Sequence, residues 1–214
     1  MSSRRKHPAG RLLLALLFAG SLVVAATSGA EEPPERSAAE LMDAVMWSRE
    51  PIGGPFALTD QNGARRTEAD FRGKLMLVYF GFTYCPDICP TDLQQMGLAV
   101  DLLDAAGEMV QPIFITLDPE RDTAEHLKDY MALFHPRFLG LTGEPAAIKE
   151  AARAYRVFFK KVERDDKSDY TIDHSAFIYL MGRDGEYLGF FPPGTPPARM
   201  ADAIRPLVKA ARQP

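Results

Sequence analysis

Leu75-Met76-Leu77-Val78-Tyr79-Phe80 runs directly into Gly81-Phe82-Thr83-Tyr84-Cys85-Pro86-Asp87-Ile88-Cys89-Pro90. Six consecutive apolar positions are the pattern of a strand buried on both faces. From Thr91 to Ala106 the apolar residues Leu93, Met96, Val100 and Leu103 recur at helical spacing, and Gly107 stops the run. Both cysteines of the chain therefore fall between the end of a buried strand and the start of a helix.

The elements on either side extend this unit. Upstream, Phe56 to Thr59, the turn Asp60-Gln61-Asn62-Gly63 and a short polar strand predict an N-terminal hairpin, because Asn-Gly favours positive φ. Downstream, Val110 to Leu117 reads as a second buried strand. Thr123 to Phe134 reads as a helix with Thr123 as N-cap, and Thr142 and Pro145 open another that runs to Tyr155. Val157 to Val162, Ala176 to Met181 and Tyr187 to Phe191 are strand-like, the last two joined around Arg183-Asp184-Gly185, and Pro197 to Ala211 closes the chain as a helix. Parallel pairing in the first half and antiparallel pairing in the second predict an α/β sandwich of the thioredoxin type, with a central mixed sheet flanked by helices.

The 214 residues suffice for one such domain, residues 51–214, plus appendages. The apolar share of 46% and charged share of 25% exclude a disordered chain or a polytopic membrane protein. A formal charge of −4 argues against a nucleic-acid partner. The first thirty residues read as an address. Arg4-Arg5-Lys6 precedes an apolar run from Leu12 to Ala26, then Ser28 and Ala30, the parts of a signal peptide. The run is short for a spanning helix, so residues 1–30 are either cleaved or retained as an N-terminal membrane anchor. Either way the expected location is outside the cytoplasm: the periplasm or the outer face of the inner membrane. Without residues 1–30 the charge falls from −4 to −8. Residues 31–50, with Glu31-Glu32-Pro33-Pro34-Glu35, form a solvated linker.

Two cysteines cannot build a four-thiolate zinc site, but they can form a disulfide, a redox pair or part of a metal site. An inert disulfide spanning one helical turn would brace little, because it closes a very short loop. A helix N-terminus lowers a thiol's pKa, and the thiolate both attacks disulfides and binds soft metals. In a thioredoxin-type domain the loop entering the late strand faces the cysteine loop, which brings in His174 of Asp173-His174-Ser175. Two thiolates and one imidazole make a donor set suited to copper. His126 and His135 read as residues of a solvated helix and its end, and Met76, Met96 and Met131 as core.

Several motifs in order then carry a resemblance. They are Asp70-Phe71-Arg72-Gly73-Lys74, Phe80 to Pro90, Asp118-Pro119-Glu120-Arg121-Asp122-Thr123, Leu141-Thr142-Gly143 and Asp173-His174-Ser175. From about Pro55 onward the chain resembles the Sco/SenC family of copper-binding assembly factors for cytochrome c oxidase. The resemblance implies that Cys85, Cys89 and His174 bind one copper, Cu(I) or Cu(II), in a thioredoxin-like fold. It implies a metallochaperone for the oxidase's dinuclear copper centre, with the copper-receiving subunit as partner and a second periplasmic copper chaperone as another. Asp118 corresponds to the family's acidic residue and is expected to support the site by orienting groups or meeting the partner, not by ligation.

The competing reading is a thiol–disulfide oxidoreductase using the Cys85–Cys89 pair to reduce the oxidase subunit or a partner chaperone. A peroxidase needs Thr or Ser three residues before its reactive cysteine, where this chain has Phe82.

Overall fold

A computed structural model describes residues 52–163 and 169–210. The expected targeting segment, residues 1–30, and linker, residues 31–50, lie outside the described residues. A seven-stranded mixed sheet is built from β1 (Ala57–Asp60), β2 (Arg65–Thr67), β3 (Leu75–Gly81), β4 (Val110–Thr116), β5 (Leu139–Thr142), β8 (Ile178–Met181) and β9 (Tyr187–Phe191). Its order is β2-β1-β5-β4-β3-β8-β9. β3 pairs in parallel with β4, and β4 with β5, while β3–β8 and β8–β9 are antiparallel. β6 (Phe159–Glu163) and β7 (Tyr170–His174) form a separate antiparallel ribbon.

The helices are α1 (Ile88–Asp101), α2 (Ala124–Met131), α3 (Pro145–Ala154) and α4 (Pro197–Ala210). α1 packs on α4, α2 on β5 and α3 on β1. Every residue of β3 is buried, so the sheet is covered on both faces at its centre, as the unbroken apolar run requires. This is the expected mixed α/β sandwich, and the cysteine loop leaves it at the carboxyl end of that central strand.

The N-terminal hairpin forms because Asp60 accepts the N–H groups of Asn62 and Ala64 at 2.9 and 3.0 Å, while Gly63 takes φ 82°. α2 starts as expected, with Thr123 Oγ1 accepting the His126 N–H at 3.2 Å.

Three elements differ from the sequence expectation. α1 begins at Ile88, not Thr91, because Pro90 stands in the first helical turn, where its missing N–H has no intrahelical partner to lose. It ends at Asp101, before a 3₁₀ turn over Asp104–Met109 in which Asp104 adopts φ 51°. β5 and β7 are additional strands. Gly140 and the mixed polarity of Tyr170-Thr171-Ile172-Asp173-His174 conceal them from an apolar count. Among the described residues, no helix is long and apolar enough to cross a membrane.

Candidate metal centre

Three elements converge at the carboxyl end of β3. Cys85 lies in the loop after the strand, Cys89 in the first turn of α1, and His174 at the last position of β7. Their ligand atoms, two Sγ and one imidazole nitrogen, all lie within 4.8 Å of one another. Cys89 is fully buried, and Cys85 is half-buried at the mouth of the site.

The two thiols do not share a helical face, since only Cys89 is helical. Instead the Cys89 N–H points at Cys85 Sγ across 3.5 Å, so the first sulfur sits over the N-terminus of α1. The Asp87 N-cap makes no side-chain cap, which leaves this role to the sulfur. The Cys85 thiol is pulled down to about 3, first by the hydrogen bond from Cys89, against an opposing burial effect, then by His174 and the Asp87 and Cys89 backbone N–H groups. Cys89 is pushed well above the ordinary thiol range, first by that same bond to Cys85 and next by its own burial. The pair therefore holds one thiolate and one thiol, with the thiolate nearer solvent.

His174 is held in the orientation a ligand needs. Its Nδ1 faces the Ser175 carbonyl at 3.1 Å; a carbonyl only accepts, so Nδ1 carries the proton and Nε2 presents a lone pair. Nε2 points at Cys89 Sγ, 3.4 Å away. The ring is wedged edge-on between Tyr79 and Phe82, with centroids at 6.3 and 5.9 Å. Phe82 is thus a wall of the site, and no hydroxyl stands where a peroxidase would place one.

Asp118 is fully buried and away from this ligand group. Its Oδ1 accepts the Tyr170 hydroxyl at 2.7 Å, and its Oδ2 accepts Arg121 Nε. Arg121 lies over the Tyr170 ring at 3.8 Å and the Tyr84 ring at 4.6 Å. The carboxylate therefore reaches the cysteine loop through Arg121 and Tyr84.

Asp122, whose role the sequence does not disclose, is the more direct anchor. Its carboxylate accepts the Thr83 N–H at 3.0 Å and Oγ1 at 2.5 Å, and Thr116 Oγ1 at 2.6 Å, from a fully buried position. Burial raises its proton affinity, against these three bonds. His126 is not a solvated helix residue: its Nε2 meets Thr83 Oγ1 at 2.9 Å, and its ring stacks on Tyr84. His135 is also largely buried, with Nε2 3.3 Å from Asp101 and Nδ1 accepting the Arg137 N–H. Neither histidine belongs to the ligand group. Met76, Met96 and Met131 are core residues, as their spacing predicts.

The SCO1/SenC family model matches residues 45–209. The chain belongs to that family. The human mitochondrial protein SCO1 homolog is 44% identical over 142 residues, covering 65% of this chain and 47% of the human protein, so the chain spans about half that relative's length. The solved structure of Bradyrhizobium japonicum ScoI with copper bound has a TM-score of 0.69 at 44% identity and covers 73% of this chain and 99% of its own. Yeast Sco1 with copper bound has a TM-score of 0.69 at 39% identity and covers 77% of this chain and 96% of its own. The mixed sandwich of this SCO1/SenC member is thus the fold of proteins solved with copper.

Proposed function

We propose that this SCO1/SenC protein is a copper metallochaperone that binds one copper through Cys85, Cys89 and His174 and passes it to the dinuclear copper centre of cytochrome c oxidase. The observation that carries the reading is the convergence of two soft sulfurs and one imidazole lone pair within 4.8 Å. Such a set accepts Cu(I) at low coordination and also holds Cu(II). Copper-bound relatives of the same fold support it. Cys85 and His174 are partly open to solvent while Cys89 is buried, so a receiving subunit would meet the Cys85 thiolate before Cys89, beside Tyr84, which is 55% exposed. Transfer then proceeds by ligand exchange, with a second periplasmic copper chaperone as a further partner. This reading takes residues 51–214 as the copper domain. It places that domain in the periplasm or on the outer face of the inner membrane, with residues 1–30 as cleaved signal or retained anchor and 31–50 as linker.

One feature favours a second reading, thiol–disulfide oxidoreductase. A half-exposed thiolate backed by a buried thiol is the arrangement of an attacking and a resolving cysteine. Cys85 would attack a partner disulfide, Cys89 would resolve the mixed disulfide, and two electrons would pass to the partner as Cys85–Cys89 closes.

Anaerobic copper titration of the reduced protein, followed by optical and electron paramagnetic resonance spectra, separates the two. The expected result is one copper per chain, with thiolate-to-Cu(II) charge transfer lost in Cys85→Ser and His174→Ala. Disulfide exchange should survive in His174→Ala. Absence of stoichiometric copper would give first place to the oxidoreductase.

A further inference from the structure

His174 is carried by a part of the fold that the main sheet does not hold. Among the described residues β6 and β7 pair only with each other, so no ladder to β3 fixes where the ribbon stands. Tyr170, Ile172 and His174 alternate onto one face of β7, and the burial of Ile172 turns that face into the domain. Cys85 reaches the same site from a different element, the loop after β3. The separation of the imidazole from the outer thiolate therefore depends on what joins the ribbon to that loop.

Arg121 makes contact with both. It stands in the turn after β4, where the Asp118 carbonyl accepts the Arg121 and Asp122 N–H groups at 3.2 and 2.8 Å. Toward the ribbon, Nη1 donates to Asp169 Oδ1 at 2.8 Å and to the Tyr170 carbonyl at 3.2 Å. The guanidinium lies 3.8 Å from the centre of the Tyr170 ring. Toward the cysteine loop it lies 4.6 Å from the centre of the Tyr84 ring, and Tyr84 is the residue before Cys85. The Asp118 carboxylate accepts both Arg121 Nε and the Tyr170 hydroxyl, which holds the arginine and the tyrosine on one group.

Hydrogen bonds alone do not account for this placement. Arg121 is largely buried, yet Nη2 has no hydrogen-bond partner. What holds it there as well is its flat, weakly hydrated face against two rings, a role that a lysine ammonium fills poorly. A second tie between this turn and the ribbon, Lys161 to Glu120 at 2.7 Å, joins two exposed side chains and contributes little.

We propose that Arg121 is a positioning residue of the metal centre, which sets His174 against Cys85 by joining Tyr170 to Tyr84. The inference rests on the copper reading above and deepens it. None of the Arg121 hydrogen bonds goes to a ligand residue. It acts through the two tyrosines, one directly before Cys85 and the other four residues, about 13 Å of strand, before His174. Without it the three ligands remain, but the imidazole has no fixed relation to the outer sulfur.

The test is a double-mutant cycle read with copper. Cu(I) affinity of the reduced full chain is measured by competition with a chromophoric chelator, and the Cu(II) form by electron paramagnetic resonance. Arg121→Ala should lose about tenfold or more in Cu(I) affinity, the usual cost of removing a group that orients a metal ligand. In the His174→Ala background the same substitution should change affinity by less than about threefold, because no imidazole is left to place. Arg121→Lys keeps the charge beside Asp118 and Asp169 but not the flat face. It should unfold near the parent's midpoint, while its Cu(II) spectrum departs from the parent's with weakened nitrogen coupling. Gly140→Ala, which crowds α2 against β5 away from the ligand group, controls for general destabilisation and should keep the parent spectrum. If Arg121→Ala does not fold, the Arg121→Lys spectrum decides the matter. No loss in Arg121→Ala, equal losses in both backgrounds, or a parent spectrum in Arg121→Lys overturns the positioning role and leaves the copper reading standing. A parent that takes no copper overturns the copper reading and this role together.

Discussion

The backbone N–H of Cys89 points at the sulfur of Cys85 across 3.5 Å, so one thiol caps the helix on which the other rides. This relationship makes the two cysteines unequal before any metal or partner arrives. The outer sulfur gains from the positive end of α1 and from its neighbour's proton, whereas the inner one is buried and keeps that proton.

Cys85 is therefore expected to react as a thiolate throughout the near-neutral range. Its alkylation by iodoacetamide should be almost flat between about pH 5 and pH 8. Cys89→Ala removes the largest stabilising contact and should move the profile's midpoint toward that of an ordinary thiol; His174→Ala should move it less. A parent rate that climbs about tenfold per pH unit over that range would contradict the assignment.

The ligand group was legible in sequence because its signals are local: a strand end, a cysteine spacing, and a histidine next to a late strand in a fold whose topology brings the two together. The supporting carboxylates were not. Asp92 looks like a surface acid in a polar stretch of α1, and Asp122 like one charge among several in Asp118-Pro119-Glu120-Arg121-Asp122. Each accepts a hydrogen bond from a partner far along the chain, Gly194 for Asp92 and Thr83 for Asp122. Likewise, His126 acquires its role from Thr83 and Tyr84 on a different element. The strands β5 and β7 were obscured for a related reason: they are short, and register with a neighbour, more than apolar run length, defines them.

Asp122→Ala should loosen the cysteine loop. The substitution removes the acceptor for Thr83 N–H, Thr83 Oγ1 and Thr116 Oγ1 together. Stranding these donors in a buried place is expected to cost roughly 3 kcal/mol in denaturant unfolding. Because Thr83 is two residues from Cys85, copper affinity should fall as well. Thr123→Ala, which removes only the α2 cap, should cost about 1 kcal/mol and leave copper affinity at the parent value.

Asp118→Asn distinguishes a supporting carboxylate from a ligand. Both Asp118 oxygens are engaged, by Tyr170 and Arg121, so the variant should still bind one copper with unchanged thiolate charge transfer. Stability should fall by roughly 2 kcal/mol, less than for a fully buried broken pair, because Arg121 keeps Asp169 at 2.8 Å. Loss of the copper spectrum in a variant that still unfolds cooperatively would make Asp118 part of the coordination sphere.

Gly81 offers the sharpest test of how closely the core supports the site. A Cβ at this position would lie 2.9 Å from Cys89 Sγ, 2.9 Å from the Tyr79 ring and 3.1 Å from Phe114, so Gly81→Ala must displace the buried thiol or the ring behind it. Gly140→Ala on β5 is a matched control, since its Cβ would meet Met131 at 2.9 Å and Leu127 at 3.3 Å in the packing of α2, not in the ligand group. Both variants should lose about 1–3 kcal/mol from overpacking. Only Gly81→Ala should also weaken copper binding, by tenfold or more in competition with a Cu(I) chelator. Equal copper affinity in the two variants would mean that the Cys89 sulfur is free to move, and that the core does not hold it against His174.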